Sequence, residues 1–115
     1  MSRDDAFFED ILDACLSIQS YTAGMSLEEY LASYEKQLVC ERLFEIIGEA
    51  ARRISAERKE IEGTLPWKKM IGMRNVVIHR YDQIDLELVW KVIQRDVPDV
   101  VKQVELVLKS RGHNN

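Results

Sequence analysis

The sequence predicts an all-α protein, an up-and-down antiparallel bundle of four to five helices with short connections. Apolar residues recur at helical spacing along most of the 115 residues. No segment alternates with the period of a strand, and only five glycines and two prolines interrupt regular structure. This length suits one core, so we expect a single domain over residues 1–115, with residues 110–115 as a frayed tail.

The first predicted helix covers about residues 4–21, where apolar residues recur every three or four positions between acidic ones. Ser2 or Asp4 can cap its first turn, since both residue types accept a hydrogen bond from the backbone N–H groups there. Gly24 follows the end of the pattern, and glycine is typical of that position. The sequence therefore predicts both boundaries of this helix.

A capping box opens the second predicted helix. Ser26 and Glu29 have the three-residue spacing at which each side chain satisfies a backbone N–H of the other, and LEEYLASY forms the helix. The third and best-defined helix covers about residues 35–55, with one continuous apolar face. Small residues lie along it, where a neighbouring helix can approach closely: Gly48, Ala50 and Ala51.

The charged and polar segment AERKEIEGT comes next and is predicted to be a linker. Pro66 then stands where a proline at the first position of a helix would, and WKKMIGMRNVVIH continues that helix. Five of its residues are predicted to face the core: Trp67, Met70, Ile71, Val77 and Ile78. Asp85 can cap LELVWKVIQRD, and Pro98 either kinks that helix or restarts it before the last stretch, DVVKQVELVLKSR.

The N-terminus and the lack of a long apolar run predict a cytoplasmic protein. The first residues lack the basic-then-apolar layout of a secretory signal, and no apolar run is long enough to span a membrane. Cys15 and Cys40 lie within amphipathic patterns without the spacing of a metal site, so we interpret both as core-facing thiols. Two histidines, one of them in the tail, make no credible metal-ligand set, and we expect neither metal nor cofactor.

The net charge of −4 hides an uneven distribution. Residues 4–49 carry eleven acidic and two basic side chains, whereas residues 52–80 carry eight basic and three acidic ones. The second segment can offer phosphate contacts to a nucleic acid despite the acidic total. An ordinary solvated surface explains the same pattern equally well on this observation alone.

The segment RNVVIHRYD, residues 74–82, concentrates side chains that suit cleavage of RNA. On a helix, Asn75 and His79 are four residues apart and share a face, beside Arg74. A histidine can take the proton of a 2′-hydroxyl or give one to the leaving 5′-oxygen, and an arginine can stabilise phosphate charge. Asn75 could orient the imidazole or bind phosphate. A structural interpretation stays open, because the helix dipole favours arginine and histidine at a C-terminus without any catalysis.

The same segment resembles a known family. RNVVIHRY has the Arg-x4-His-x-Tyr form of the HEPN (higher eukaryotes and prokaryotes nucleotide-binding) superfamily, and the chain is similar in particular to the HepT-like toxins. ERLFEIIGEAARRIS, PWKKMIGMRNVVIHRY and the pattern ID…VW…DVP match that family in order and spacing. The similarity extends from about Leu38 to Leu108, which is most of the chain.

The resemblance implies a dimeric, metal-independent endoribonuclease that acts as a toxin and is encoded beside a minimal nucleotidyltransferase antitoxin. Arg74, Asn75 and His79 of both protomers would then form one RNA site in a shared cleft. The antitoxin would transfer AMP from ATP to the motif tyrosine, here Tyr81. The bulky negative group beside His79 would repel an RNA phosphate and inactivate the enzyme.

Further residues receive roles from the motif and the charge pattern. Arg80 could bind RNA or the attached AMP, and three more cations are RNA-binding candidates: Arg53, Lys68 and Lys69. Glu49 matches the GEA segment of the family, and it either orients Arg74 across the bundle or is an exposed helix carboxylate. We interpret Trp67 and Trp90 as core or dimer contacts rather than base-stacking platforms.

A second hypothesis assigns the chain no catalysis. It would then be a helical partner subunit that binds and regulates a nucleotidyltransferase through the acidic surface of residues 4–49. The two hypotheses differ in what they predict for His79→Ala. The first predicts that this variant loses RNA cleavage, whereas the second predicts that any cellular toxicity is unchanged.

Overall fold

The computed structural model describes residues 2–77 and 84–110 of the chain. All regular structure in these two ranges is helical, which confirms the all-α fold expected from the sequence. The helices are α1 (Arg3–Thr22), α2 (Leu27–Leu31), α3 (Tyr34–Arg53), α4 (Ala56–Ile61), α5 (Trp67–Val77), α6 (Leu86–Lys91) and α7 (Val97–Ser110). A π-helical turn, Val92–Asp96, joins α6 directly to α7, so these elements form one continuous rod.

Helices α1 and α3 lie antiparallel. At one end, the Asp4 carboxylate accepts hydrogen bonds from the backbone N–H and the hydroxyl of Ser55, at 3.0 and 2.7 Å, just beyond the end of α3. At the other end, the ammonium of Lys36 lies 5.0 Å from the ring centroid of Tyr21. The start of each helix meets the end of the other, as the predicted up-and-down topology requires.

Helix α5 returns along α3, and the rod of α6 and α7 completes the bundle. The indole N–H of Trp67, at the start of α5, donates to the Glu62 carbonyl just after α4, at 2.9 Å. Gly48, in α3, faces the last turn of α5. On the other side α7 packs against α1, and the ring of Trp90 in α6 lies 5.2 Å from that of Tyr30 in α2. The described helices thus enclose one core.

Apolar side chains of all the long helices form this core. The largest that are fully buried include Phe8, Ile11, Ile18, Tyr30, Phe44, Ile47, Met70 and Met73. Cys15 and Cys40 are buried and free, which confirms their interpretation as core thiols. Burial raises the pKa of Cys15 to about 12 and that of Cys40 to about 11, because the apolar surroundings disfavour the thiolate.

Side-chain caps start the first two helices. Ser2 rather than Asp4 caps α1, since its hydroxyl accepts the backbone N–H of Asp5 at 3.0 Å. The predicted capping box of α2 is confirmed: the Ser26 hydroxyl accepts the Glu29 N–H at 3.1 Å, and the Glu29 carboxylate accepts the Ser26 N–H at 2.8 Å. These bonds satisfy N–H groups that have no partner within a helix.

Asp85 caps α6 as predicted, by accepting the N–H of Leu88 at 3.1 Å. The sequence left open whether Pro98 kinks or restarts the following helix. The helix instead continues through the π-helical turn Val92–Asp96, where the N–H of Val97 bonds five residues back. Pro98 has no N–H for the helical ladder, and the wider turn directly before it accommodates this gap.

The segment predicted to be a linker contains α4 (Ala56–Ile61) instead. The Ser55 hydroxyl caps it by accepting the N–H of Arg58 at 3.1 Å. The side chain of Arg58 is buried, with Asp5 at 3.0 Å and Glu62 at 3.3 Å. The linker prediction was wrong because a charge that is neutralised by carboxylates can be buried, and the polarity of the segment concealed this.

Helix α5 begins at Trp67, directly after Pro66, so the predicted start is correct to one residue. Four of its residues predicted to face the core are buried or half-buried: Met70, Val77, Trp67 and Ile71. Met73 is also buried, which the sequence interpretation missed. Ile78 lies outside the described residues.

Candidate functional site

The last turn of α5 presents two candidate catalytic residues to solvent. Arg74 and Asn75 are exposed, while Met73 and Val77 are buried and hold the turn in the core. The helix therefore directs an arginine and an amide outward from a fixed backbone. Three further motif residues lie outside the described ranges: His79, Arg80 and Tyr81. Their roles stay predictions.

Helix α3 approaches α5 very closely beneath this turn. A Cβ atom built on Gly48 would lie 2.6 Å from the Cβ of Arg74, 2.9 Å from its backbone nitrogen and 3.1 Å from the carbonyl oxygen of Ile71. Ordinary van der Waals contact of a Cβ atom begins at 3.4 Å. The backbone of Arg74 thus rests directly on α3. The prediction that small residues of α3 admit a neighbouring helix is confirmed for Gly48.

Glu49 binds two arginines of its own helix. Its carboxylate accepts two bonds from Arg52, at 2.9 Å from Nη2 and 3.3 Å from Nε, and one of 3.3 Å from Nε of Arg53. The hydrogen bond from Arg52 is the main cause that lowers the pKa of Glu49 below its ordinary value. The structure therefore brings Glu49 to Arg52 and Arg53 rather than to Arg74, the partner that one of the two interpretations gave it.

Arg52 is a partner of Glu49 that the sequence had not singled out. Its side chain is 63% exposed, and that of Arg53 is 59% exposed. The spacing of three and four residues from Glu49 is the sequence signal that could have identified both pairs. One carboxylate holds the two guanidinium groups at one place on α3, and each keeps further N–H donors for an anion.

The first turn of α5 carries two more of the predicted RNA-binding residues. Lys68 and Lys69 are both exposed. The ammonium of Lys69 lies 3.5 Å from the carboxylate of Asp96 in the π-helical turn. Lys68 and Arg74 are six residues apart on one helix, which is about 9 Å along its axis. Helix α5 therefore carries exposed cations near both ends.

The two tryptophans pack inside the protomer. The ring of Trp67 lies 5.9 Å from that of Phe8, and the ammonium of Lys59 lies 5.6 Å from its centroid. The ring of Trp90 packs against that of Tyr30 in a tilted arrangement. Both indoles are half-buried. These contacts agree with the interpretation of Trp67 and Trp90 as core residues rather than base-stacking platforms.

In the part of the chain that the structure describes, no three His, Cys, Asp or Glu side chains converge as metal ligands would. No helix in the same ranges is both long and apolar enough to cross a lipid bilayer.

Comparisons with known proteins identify relatives along almost the whole chain. A family model described as "Ribonuclease HepT-like" matches residues 11–107. "Putative RNase MJ1380" of Methanocaldococcus jannaschii is 38% identical over 109 residues, which cover 93% of this chain and 100% of that protein. "Probable ribonuclease HepT" of Thermococcus cleftensis is 32% identical over 103 residues, which cover 90% of this chain and 94% of that protein.

A more distant relative carries a more specific name. "tRNA nuclease HepT" of Aphanizomenon flos-aquae is 28% identical over an alignment of 119 positions, including gaps, which covers 80% of this chain and 81% of that protein. No solved structure matches the chain significantly.

Proposed function

The chain belongs to the HepT-like ribonuclease family, and from this premise we propose that it is a metal-independent endoribonuclease, the toxin of a toxin–antitoxin pair. The observation that carries the proposal is the exposed pair of Arg74 and Asn75 on the last turn of α5, just before His79 in the motif. The names of its relatives, RNase and tRNA nuclease, support RNA as the substrate class.

Each motif residue has a role in phosphodiester cleavage. Arg74 binds the scissile phosphate and stabilises the extra negative charge of the transition state. His79 removes the proton of the 2′-hydroxyl, whose oxygen attacks phosphorus while the bond to the 5′-oxygen breaks. The products are a 2′,3′-cyclic phosphate and a 5′-hydroxyl, whose proton comes from the protonated His79 of the partner subunit. Asn75 orients the imidazole or binds a phosphate oxygen.

A homodimer supplies both histidines. Three large apolar side chains of α1 and α3 are exposed in the protomer: Leu16, Tyr21 and Leu38. A two-fold interface that covers such side chains is the commonest way in which a small helical protein assembles. Duplication also gathers the cations that would bind the RNA backbone into one cleft: Arg53, Lys68, Lys69 and Arg80.

A nucleotidyltransferase antitoxin controls this activity by transferring AMP to Tyr81. The hydroxyl oxygen of Tyr81 attacks the α-phosphorus of ATP, and pyrophosphate leaves. The attached nucleotide adds negative charge and bulk two residues from His79, so the site repels the RNA phosphate. Arg80 can bind the phosphate of the attached AMP and hold it there.

One cleavage assay tests the proposed activity. Total RNA is incubated in excess chelator with wild-type protein and with His79→Ala, after mass spectrometry confirms that Tyr81 is unmodified. We expect cleavage by the wild type alone, because the mechanism needs the imidazole and no metal. Circular dichroism on both proteins provides the folding control.

Two other outcomes would contradict the proposal. If RNA is cleaved only when the chelator is omitted, a metal takes part in the reaction. If neither folded, unmodified protein cleaves RNA, the alternative gains support: a non-catalytic helical subunit that binds and regulates a nucleotidyltransferase. The exposed acidic side chains of α1 would then offer the docking surface.

A further inference from the structure

We infer that Gly48 is a positioning residue for the cleavage reaction. Because Gly48 has no side chain, α5 can lie very close to α3. This short distance between the helices determines the position from which Arg74 reaches the scissile phosphate. This inference rests on the proposed function, in which Arg74 binds that phosphate.

The contact at Gly48 lies directly beneath the catalytic arginine. The two nearest atoms to a Cβ at this position, at 2.6 and 2.9 Å, are the Cβ and the backbone nitrogen of Arg74 itself. The third, at 3.1 Å, is the carbonyl oxygen of Ile71, one turn earlier on the same helix. None of them is the end of a flexible side chain that could move aside. A methyl group at Gly48 can be accommodated only if α3 and α5 move apart. Because α3 also packs against α1, we expect α5 to be the helix that moves.

The packing around Gly48 favours an outward movement of α5. Its neighbours on α3, Ile47 and Ala51, are fully buried, and so is Met70 on the facing side of α5. Since a close-packed core does not compress, the last turn of α5 must move outward. Ordinary contact of a Cβ atom begins at 3.4 Å, whereas the Cβ of Arg74 would lie 2.6 Å away, so a shift of about 0.8 Å is needed. That shift carries Arg74 and Asn75 with it.

A second glycine in α5 shows that this constraint is local. Gly72 lies two residues before Arg74, and a Cβ there would meet no atom within 4 Å. Both glycines are helical, and an alanine favours a helix more than glycine does. Gly72→Ala therefore adds the same methyl group near the site without moving α5. It is a matched control for Gly48→Ala. Combined with Gly48→Ala in a double variant, it also adds helix propensity that offsets a loss of stability.

The test compares Gly48→Ala with Gly72→Ala, each measured as the single-turnover rate on a short labelled RNA, at temperatures where circular dichroism shows a folded protein. Gly48→Ala is also made in the Gly72→Ala background, so that added helix propensity offsets destabilisation. We expect Gly48→Ala to slow cleavage on the order of 10- to 100-fold in both backgrounds, with RNA affinity nearly unchanged. Gly72→Ala should cleave at the wild-type rate.

A cycle with Arg74→Lys separates positioning from simple structural damage. A lysine side chain is a flexible point charge, whereas arginine is a rigid bidentate fork. Phosphate binding by a lysine at position 74 therefore depends less on the position of α5. If Gly48 acts through Arg74, adding Gly48→Ala to Arg74→Lys should cause a much smaller further loss of rate. An equal loss in both backgrounds would overturn the inference, as would a folded Gly48→Ala protein that cleaves like the wild type.

A measurement that does not depend on RNA cleavage distinguishes the positioning role of Gly48 from the proposed ribonuclease function. In two-dimensional NMR spectra, Gly48→Ala should shift the backbone amide of Arg74, and Gly72→Ala should alter it much less. An unchanged Arg74 amide in Gly48→Ala would overturn the positioning role even if RNA cleavage is confirmed. A shifted amide in a protein that never cleaves RNA would retain the geometric relationship and reject the enzymatic function.

Discussion

Asp5 and Arg58 form a buried ion pair, with 3.0 Å between Oδ1 and Nη1, that joins the first turn of α1 to α4. Arg58 also binds Glu62 at 3.3 Å, and its guanidinium lies 4.9 Å from the ring centroid of Phe8. Helix α4 connects α3 to α5, the two helices that carry the candidate site. The pair therefore fixes the connection between them to the N-terminal helix.

Breaking this pair should strongly destabilise the fold. Asp5→Ala leaves the Arg58 guanidinium buried with one carboxylate fewer, and we expect a loss of about 3–5 kcal/mol in the free energy of unfolding, measured with urea. Glu45→Ala is the control, because its pair with Arg42 is exposed and should be worth about 1 kcal/mol or less. Equal losses in the two variants would show that burial of the Asp5 pair adds no stability.

The ion pair of Asp5 and Arg58 should also make the free energy of unfolding decrease at acidic pH. Burial tends to raise the pKa of Asp5, but the hydrogen bond and charge of Arg58 outweigh it and lower the pKa below the ordinary 3.8. A carboxyl with a lowered folded pKa stabilises the protein above its unfolded pKa, and this contribution is lost as pH falls through the folded value. The wild type should therefore lose its advantage over Asp5→Asn as the pH falls below the ordinary carboxyl pKa of 3.8.

Urea titrations of both proteins across this range would check the prediction. Because the other carboxyl groups titrate in both proteins, the difference between their unfolding free energies isolates Asp5. A constant difference over the whole range would mean that Arg58 does not lower this pKa.

The two buried thiols should be unreactive in the native protein. The pKa values of Cys15 and Cys40, raised to about 12 and about 11, leave almost no thiolate at neutral pH, and both side chains are buried. We expect iodoacetamide to modify them only at the rate at which the protein opens. Mass spectrometry over a time course, with urea-unfolded protein as the fast reference, measures this rate. Because the Cys40 side chain lies beside Tyr30 of α2, rapid native labelling of Cys40 alone would show that α2 opens locally.

Most of the fold could be predicted because it follows from local signals. Capping residues and apolar periodicity act over one or two turns, and they predicted the starts of α1, α2, α5 and α6 closely. The failure came at α4, where Arg58 is stabilised by Asp5, 53 positions earlier in the chain. Periodicity within a short window contains no information about such a distant partner. The π-helical turn before Pro98 was missed for a related reason, because several backbone adjustments can accommodate a proline.

The candidate site was predictable in part. The exposure of Arg74 and Asn75 follows from their place on an amphipathic helix, and the value of a small residue at Gly48 could be seen in the sequence. The sequence could not show that Gly48 faces Arg74 in particular, because that depends on the register of two helices. Likewise, Glu49 had suitable partners both across the bundle and along its own helix, and only the structure identifies Arg52 and Arg53 as its partners.

The two lysines at the start of α5 should contribute unequally to RNA binding. Lys68 is exposed, while the ammonium of Lys69 is partly neutralised by Asp96 at 3.5 Å. In a His79→Ala background, in which we expect no cleavage, Lys68→Ala should weaken binding of a labelled RNA and reduce the slope of log Kd against log salt by about 0.7–1. Lys69→Ala should have a smaller effect on both quantities, because an ion-paired lysine has fewer counterions to release.

Fluorescence anisotropy at several sodium chloride concentrations measures both the affinity and its salt dependence, with Lys102→Ala on the exposed face of α7 as the matched control. If all three variants show the same slope, the RNA backbone does not follow α5.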